Sequence, residues 1–161
     1  MPQFTGIGIH VKVSDIHASR DFYEELGFTP VFGYGDEEFR ASLPEGTASA
    51  PERYRGVTYR LNDNAEFEIA DGHVAVRPEV FAEEVLSPKI SGMIRVRSVV
   101  PIVEKLRGKI KFPVRKYYWG SIEVAVRDPD GFVLIFIAPY SDEELKAVEQ
   151  LVDVEVIEPG H

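Results

Sequence analysis

The chain has no cysteine among its 161 residues. Disulfides, thiolate metal sites and cysteine nucleophiles are therefore excluded. It is also short of positive charge: 18 Lys and Arg stand against 27 Asp and Glu, a net charge of −9 at pH 7 and a pI of about 5.0. Such a balance disfavours phosphate backbones, so nucleic acid is not an expected partner. It is compatible with a cationic ligand. No apolar run reaches the roughly 18 residues that a membrane helix needs. No basic stretch followed by an apolar one marks a secretory signal at the N-terminus. The expectation is a cytoplasmic protein with no membrane partner. What the chain does have is core material, because 44% of its residues are hydrophobic. That suffices for one domain, or for two small modules sharing a core.

Residues 7–28 set the plan. Ile7, Ile9, Val11 and Val13 alternate with Gly8, His10 and Lys12, the period-2 pattern of a strand with one face on a core. Ser14 and Asp15 offer side-chain oxygens to cap a helix. Ile16, Phe22, Tyr23 and Leu26 follow at helical spacing, and Gly27 suits a left-handed stop. The unit recurs about eighty residues later. Ile94 and Val96 take the places of Val11 and Val13, and Ser98 can cap a helix carrying Val99, Ile102, Val103 and Leu106. Pro101 is tolerated in the first turn. Two similar modules predict pseudo-twofold architecture.

Further strands are expected over 30–35, 56–61, 65–70, 112–117, 120–127 and 132–138. Residues 36–55 read as a long polar loop or lid, with edge pairing near 38–43. Residues 78–85 suit a short helix in the connector. The apolar run 132–138 reads as a strand buried on both faces. Asp128-Pro129-Asp130-Gly131 is a tight-turn sequence, and Ser141 with Glu144 forms a capping box for a last helix over 142–152. Residues 153–157 are expected to add an edge strand or to lie on a partner subunit.

The strand-helix opening with Asp15, Phe22-Tyr23 and Leu26-Gly27-Phe28, together with Asp128-Pro129-Asp130-Gly131 before an apolar strand, resembles the vicinal oxygen chelate superfamily. That group includes glyoxalase I, extradiol dioxygenases, fosfomycin-resistance proteins and bleomycin-resistance proteins. The resemblance covers residues 5–138. It implies an α+β fold: two tandem βαβββ modules whose curled sheets enclose a ligand cup, the glyoxalase/bleomycin resistance fold. The implied organisation is one domain over 1–138, with modules at 4–72 and 90–138 joined by 73–89, followed by a C-terminal helix and tail over 139–161.

Metal-dependent members of that group hold a divalent ion with nitrogen and oxygen donors from the first and last strands of each module. Counted from the motifs, those places fall on Gly8, Glu68, Ser91 and Ile135. Glycine has no donor and isoleucine cannot bind an ion, so no metal and no cofactor are expected. A register slip of two residues would bring His10 beside Glu68, but Met93 and Arg95 would be the inward neighbours in module two.

Loss of the ligands makes the chain look most like the metal-free bleomycin-resistance type, which sequesters a drug without chemistry. The resemblance thus implies a small-molecule ligand, cationic or aromatic, bound by His10, Lys12, Glu68, Met93, Arg95, Tyr117, Tyr118, Trp119 and Ile135. The tyrosines and tryptophan could stack on planar rings, or simply pack at a sheet edge. Lys12 and Arg95 occupy matching places and could receive an anionic group. The other reading is an enzyme of the same fold, a lyase, isomerase or dioxygenase. It would use a displaced metal site, or Glu68 as general base with His10 as partner. The bland alternative salt-bridges Glu68 to Lys12, Arg60 or Arg95. A third reading is an empty scaffold held as a homodimer, the oligomer expected in any case. His17, His73 and His161 belong to no visible constellation.

Overall fold

A computed structural model describes residues 5–72, 90–110 and 112–159. Among these lie ten strands and four helices. The chain divides into two compact units, residues 1–86 and 87–161. His73, His161 and the helix expected over 78–85 lie outside the described residues.

The first unit runs β1 (Ile7–Lys12), α1 (Ile16–Glu25), β2 (Pro30–Gly35), α2 (Glu37–Ala41), β3 (Ala48–Pro51), β4 (Gly56–Asn62) and β5 (Ala65–Ala70). Its five strands are ordered β1-β5-β4-β2-β3. The opening forms as its residues dictate. Asp15 Oδ1 accepts from the backbone N–H groups of His17 and Ala18, at 3.0 and 3.1 Å, and so caps α1. Gly27 takes the left-handed conformation at φ 96° that ends the helix. The apolar stripe of α1 lands on the sheet through Tyr23, which is fully buried. Its ring lies 4.7 Å from that of Phe67 and 5.2 Å from that of Phe28. The Tyr59 hydroxyl donates to Glu24 at 3.1 Å, which satisfies its polar end.

The stretch 36–55 is more ordered than the expected loop. Edge pairing near 38–43 does not occur: those residues begin in α2, because the Asp36 carboxylate accepts from Phe39 N–H at 2.8 Å and the Phe39 ring is buried. The edge strand is β3, which pairs parallel with β2 from Phe32↔Ala48 to Gly35↔Pro51.

The second unit runs β6 (Ser91–Arg95), α3 (Val100–Leu106), β7 (Val114–Tyr117), β8 (Ser121–Arg127), β9 (Val133–Pro139), α4 (Asp142–Glu149) and β10 (Val154–Ile157). Its strands are ordered β10-β7-β8-β9-β6. The pairings repeat those of the first unit. A parallel β1–β5 pair matches a parallel β6–β9 pair, and two antiparallel pairs follow in each. Each sheet ends in a parallel edge strand drawn from a different place, the α2–β3 segment in one and the C-terminal segment in the other.

Three local expectations need correction. The strand β9 is buried on both faces only toward its end: Leu134, Phe136 and Ala138 are buried on one face, whereas on the other Val133 and Ile135 are half-buried and only Ile137 is buried. The last helix ends at Glu149 rather than 152. In the capping box Ser141 Oγ does accept from Glu144 N–H at 3.1 Å, but the Glu144 carboxylate turns elsewhere. It accepts from Val99 N–H at 2.7 Å and from the Ser98 hydroxyl, so that α4 caps the start of α3. The turn before β9 is built on Asp128, a buried carboxylate that accepts from the N–H groups of Asp130 and Phe132 at 2.9 and 2.8 Å.

No helix among the described residues is long and apolar enough to cross a membrane. The charge is divided unevenly. Residues 1–86 contain 16 acidic against 7 basic side chains, whereas residues 87–161 contain 11 of each. The whole net charge of −9 therefore belongs to the first unit.

Candidate functional site

In each unit one sheet face carries the core and the other is open. The strand register decides which open-face side chains are neighbours. In the first unit His10 on β1 lies directly beside Glu68 on β5, which lies beside Thr58 on β4. Gly8 is one row away, opposite Glu66. The partner of Glu68 on the first strand is thus His10, not Gly8. In the second unit the matching row is Met93, Ile135 and Ala125, and Ser91 again falls one row off, opposite Val133.

Glu68 is held by a residue that sequence reasoning passed over. The Tyr34 hydroxyl donates to Glu68 Oε1 at 2.6 Å. Tyr34 stands on β2, two strands from Glu68, and its ring reaches across β4 at Gly56. A Cβ built on Gly56 would lie only 2.3 Å from Tyr34 Cζ, so the absence of a side chain there makes the crossing possible. Tyr34 is buried, with 8% of its surface exposed. Burial, and then the Glu68 carboxylate, push its ionisation well above the ordinary value of 10.0. The phenol accordingly stays a proton donor to the carboxylate at any physiological pH.

This pair lines an open pocket of about 350 Å³. Phe32, Ala50 and Pro51 supply apolar wall, and Glu52, whose Oε1 accepts from Arg53 N–H at 2.6 Å, adds a second carboxylate to the lining. Among the described residues no Lys or Arg side chain lines it. Lys12 is exposed one row beyond His10, opposite Ala70, and is not part of the lining. Arg60 pairs with Glu66 at 3.7 Å.

In the second unit Met93, Arg95 and Trp119 line another open pocket, of about 560 Å³, with Ser121, Glu123 and Ile137. Tyr117 stacks on Trp119 at 4.2 Å and 11°, and Tyr118 meets its edge at 5.0 Å. The aromatic cluster is therefore both packed at a turn and displayed, since 58% of Trp119 and 55% of Tyr118 remain exposed. Ile135 shares the open face beside Met93, outside the pocket lining. Ser121 and Glu123 were not anticipated, although alternation along β8 does place them on one face. Likewise, the alternation in Phe32-Gly33-Tyr34-Gly35 puts Phe32 and Tyr34 together. His17 is in neither lining and stands edge-on to Phe39 at 6.0 Å.

A divalent ion of the kind implied by the resemblance does not fit these side chains. His10 and Glu68 offer two donors in one row, but Met93, Ile135 and Ala125 offer no nitrogen or oxygen ligand in the other. Among the described residues no group of three or more His, Asp and Glu side chains is gathered closely enough to hold a metal.

No protein-family model matches the sequence, and no curated protein matches it. Solved structures do match in fold. A glyoxalase-related enzyme from Fulvimarina pelagi is 22% identical, covering 89% of this chain and 96% of its own, with a TM-score of 0.55. A glyoxylase/bleomycin resistance protein/dioxygenase domain from Frankia sp. EAN1pec is 13% identical over 87% of this chain and 99% of its own, with a TM-score of 0.53. The fosfomycin resistance protein FosX from Listeria monocytogenes, in complex with Mn(II) and a dihydroxypropylphosphonic acid, is 16% identical. It covers 90% of this chain and 98% of its own, with a TM-score of 0.53.

Proposed function

We propose that this chain, which has the glyoxalase/bleomycin resistance protein/dioxygenase fold, is a metal-free small-molecule-binding protein whose first unit takes a cationic ligand. The observation that carries the proposal is the Tyr34–Glu68 pair on the wall of a pocket that has a second carboxylate and, among the described residues, no basic side chain. A carboxylate fixed by a 2.6 Å hydrogen bond is oriented before the ligand arrives. Phe32, Ala50 and Pro51 suit an apolar body attached to the cation. The charge of the first unit, 16 acidic against 7 basic side chains, favours the same sign of ligand. His10, beside Glu68 in the register, belongs to the same face. We read the modules over 1–138 as one binding domain.

Benzyltrimethylammonium tests this directly. Binding the native state raises its stability by RT ln(1 + [L]/Kd), about 2.7 kcal/mol at a hundredfold excess over Kd. The midpoint of thermal unfolding should rise with the cation and not with its neutral carbinol analogue, and Glu68→Gln should remove most of the rise. Equal response to both compounds, or no response, overturns the proposal.

The same pair supports a second reading, in which Glu68 is a general base and the protein a lyase or isomerase. A carboxylate beside a phenolic donor is a competent proton-transfer pair. Glu68→Gln separates the two readings, because an enzyme loses turnover and a binder loses affinity.

A further inference from the structure

We infer that the open sheet face of the second unit is a recognition site for a planar aromatic monoanion, with Arg95 as the anion receptor and Trp119 as the ring platform. The inference stands on residues of the second unit alone. Arg95 and Glu123 flank Ile137 in one row across β6, β9 and β8. Two strand spacings separate their Cα atoms by about 10 Å, room for one ring over the Ile137 side chain.

The polar groups are arranged asymmetrically. Glu123 Oε1 is occupied: it accepts from the Ser121 hydroxyl at 2.6 Å and from Trp119 Nε1–H at 3.3 Å. Trp119 Nε1–H also donates to Ser121 Oγ at 2.8 Å. The indole is therefore fixed on its polar edge by Ser121 and on a face by Tyr117. Its surface stays 58% exposed. An aromatic held this firmly has little left to lose in rotamer freedom when a second ring covers it.

Arg95, by contrast, is exposed and makes no hydrogen bond or ion pair among the described residues. An unpaired guanidinium can take a carboxylate bidentately. Met93, 63% exposed on the same wall, adds a polarizable contact for a ring edge. The neutral charge balance of this unit does not oppose an anion, as that of the first unit does.

Trp119 is the sole tryptophan, so its emission reports from inside the site. The probe is 4-nitrobenzoate, titrated into the full chain and followed by tryptophan quenching and by calorimetry. Saturable one-site binding is expected. Arg95→Gln should weaken it by about tenfold or more, as should replacing the probe by neutral 4-nitrobenzyl alcohol. Arg97→Gln, an exposed change outside the lining, should leave it unchanged. Quenching that is linear and equal for the acid and the alcohol overturns the inference. So does saturable binding that survives Arg95→Gln in a variant with an unaltered unfolding midpoint.

Discussion

Tyr34→Phe removes a single hydroxyl and with it the 2.6 Å donor to Glu68. A hydrogen bond to a charged group contributes about 1.5–3 kcal/mol. Glu68 is half-buried, so water can partly replace the lost donor, and the lower end applies, about 1.5 kcal/mol. For a chain of this size that lowers the unfolding midpoint by about 3–6 °C. The pH dependence makes the test sharper. Burial and then Glu68 raise the ionisation of Tyr34 in the folded state; burial and then Glu24 do the same for Tyr59. In the unfolded chain both phenols ionise near 10.0. Their contribution to stability is therefore fully present below pH 10 and is lost as pH rises above it, because the unfolded state releases protons that the folded state keeps. Each such tyrosine adds a slope of about −1.4 kcal/mol per pH unit. The variant carries one and the wild type two. The gap of about 1.5 kcal/mol near pH 8 should thus close at about pH 11. Urea unfolding at pH 8, 9, 10 and 11 measures this. A gap that stays constant across that range refutes the assignment of Tyr34 as a buried donor to Glu68.

Gly56→Ala places a Cβ 2.3 Å from Tyr34 Cζ and should force the ring aside. The expected cost is about 1–3 kcal/mol in urea unfolding, and it should shrink markedly in a Tyr34→Ala background. Asp128→Ala removes the buried acceptor of two backbone N–H groups and should cost about 2–3 kcal/mol, read from the denaturant midpoint. Glu144→Ala uncaps α3 at Val99 and should cost about 1–2 kcal/mol, whereas Glu144→Gln, which keeps an acceptor, should cost roughly half as much.

Much of this fold is written locally. The alternation over residues 7–13 and 65–70 predicts β1 and β5, because one face of each meets a core and the other does not. Asp15, Gly27 and the Asp128 turn act through neighbours within a few residues, so their roles can be read along the chain. What could not be read is what depends on partners far off in sequence. β3 has four residues, one of them proline, and no alternation; only pairing with β2 makes it a strand. Glu144 sits in a capping-box pattern, yet Ser98 and Val99 claim its carboxylate from 46 and 45 residues away. Of Tyr34 only its place in a strand over 30–35 was legible. Its bond to Glu68 depends on Gly56 lying between them, a condition that no local pattern expresses. The placement of His10 likewise needed the register, which moved the neighbour of Glu68 by two residues from Gly8.

The measurement that bears most directly on the proposed function is calorimetric titration of benzyltrimethylammonium into the wild-type chain in the presence of a chelator. Saturable one-site binding is expected, unchanged by the chelator and weakened about tenfold or more in Glu68→Gln, the loss of one oriented charge contact. Binding that appears only after a divalent ion is supplied, or that Glu68→Gln does not alter, contradicts the proposed function.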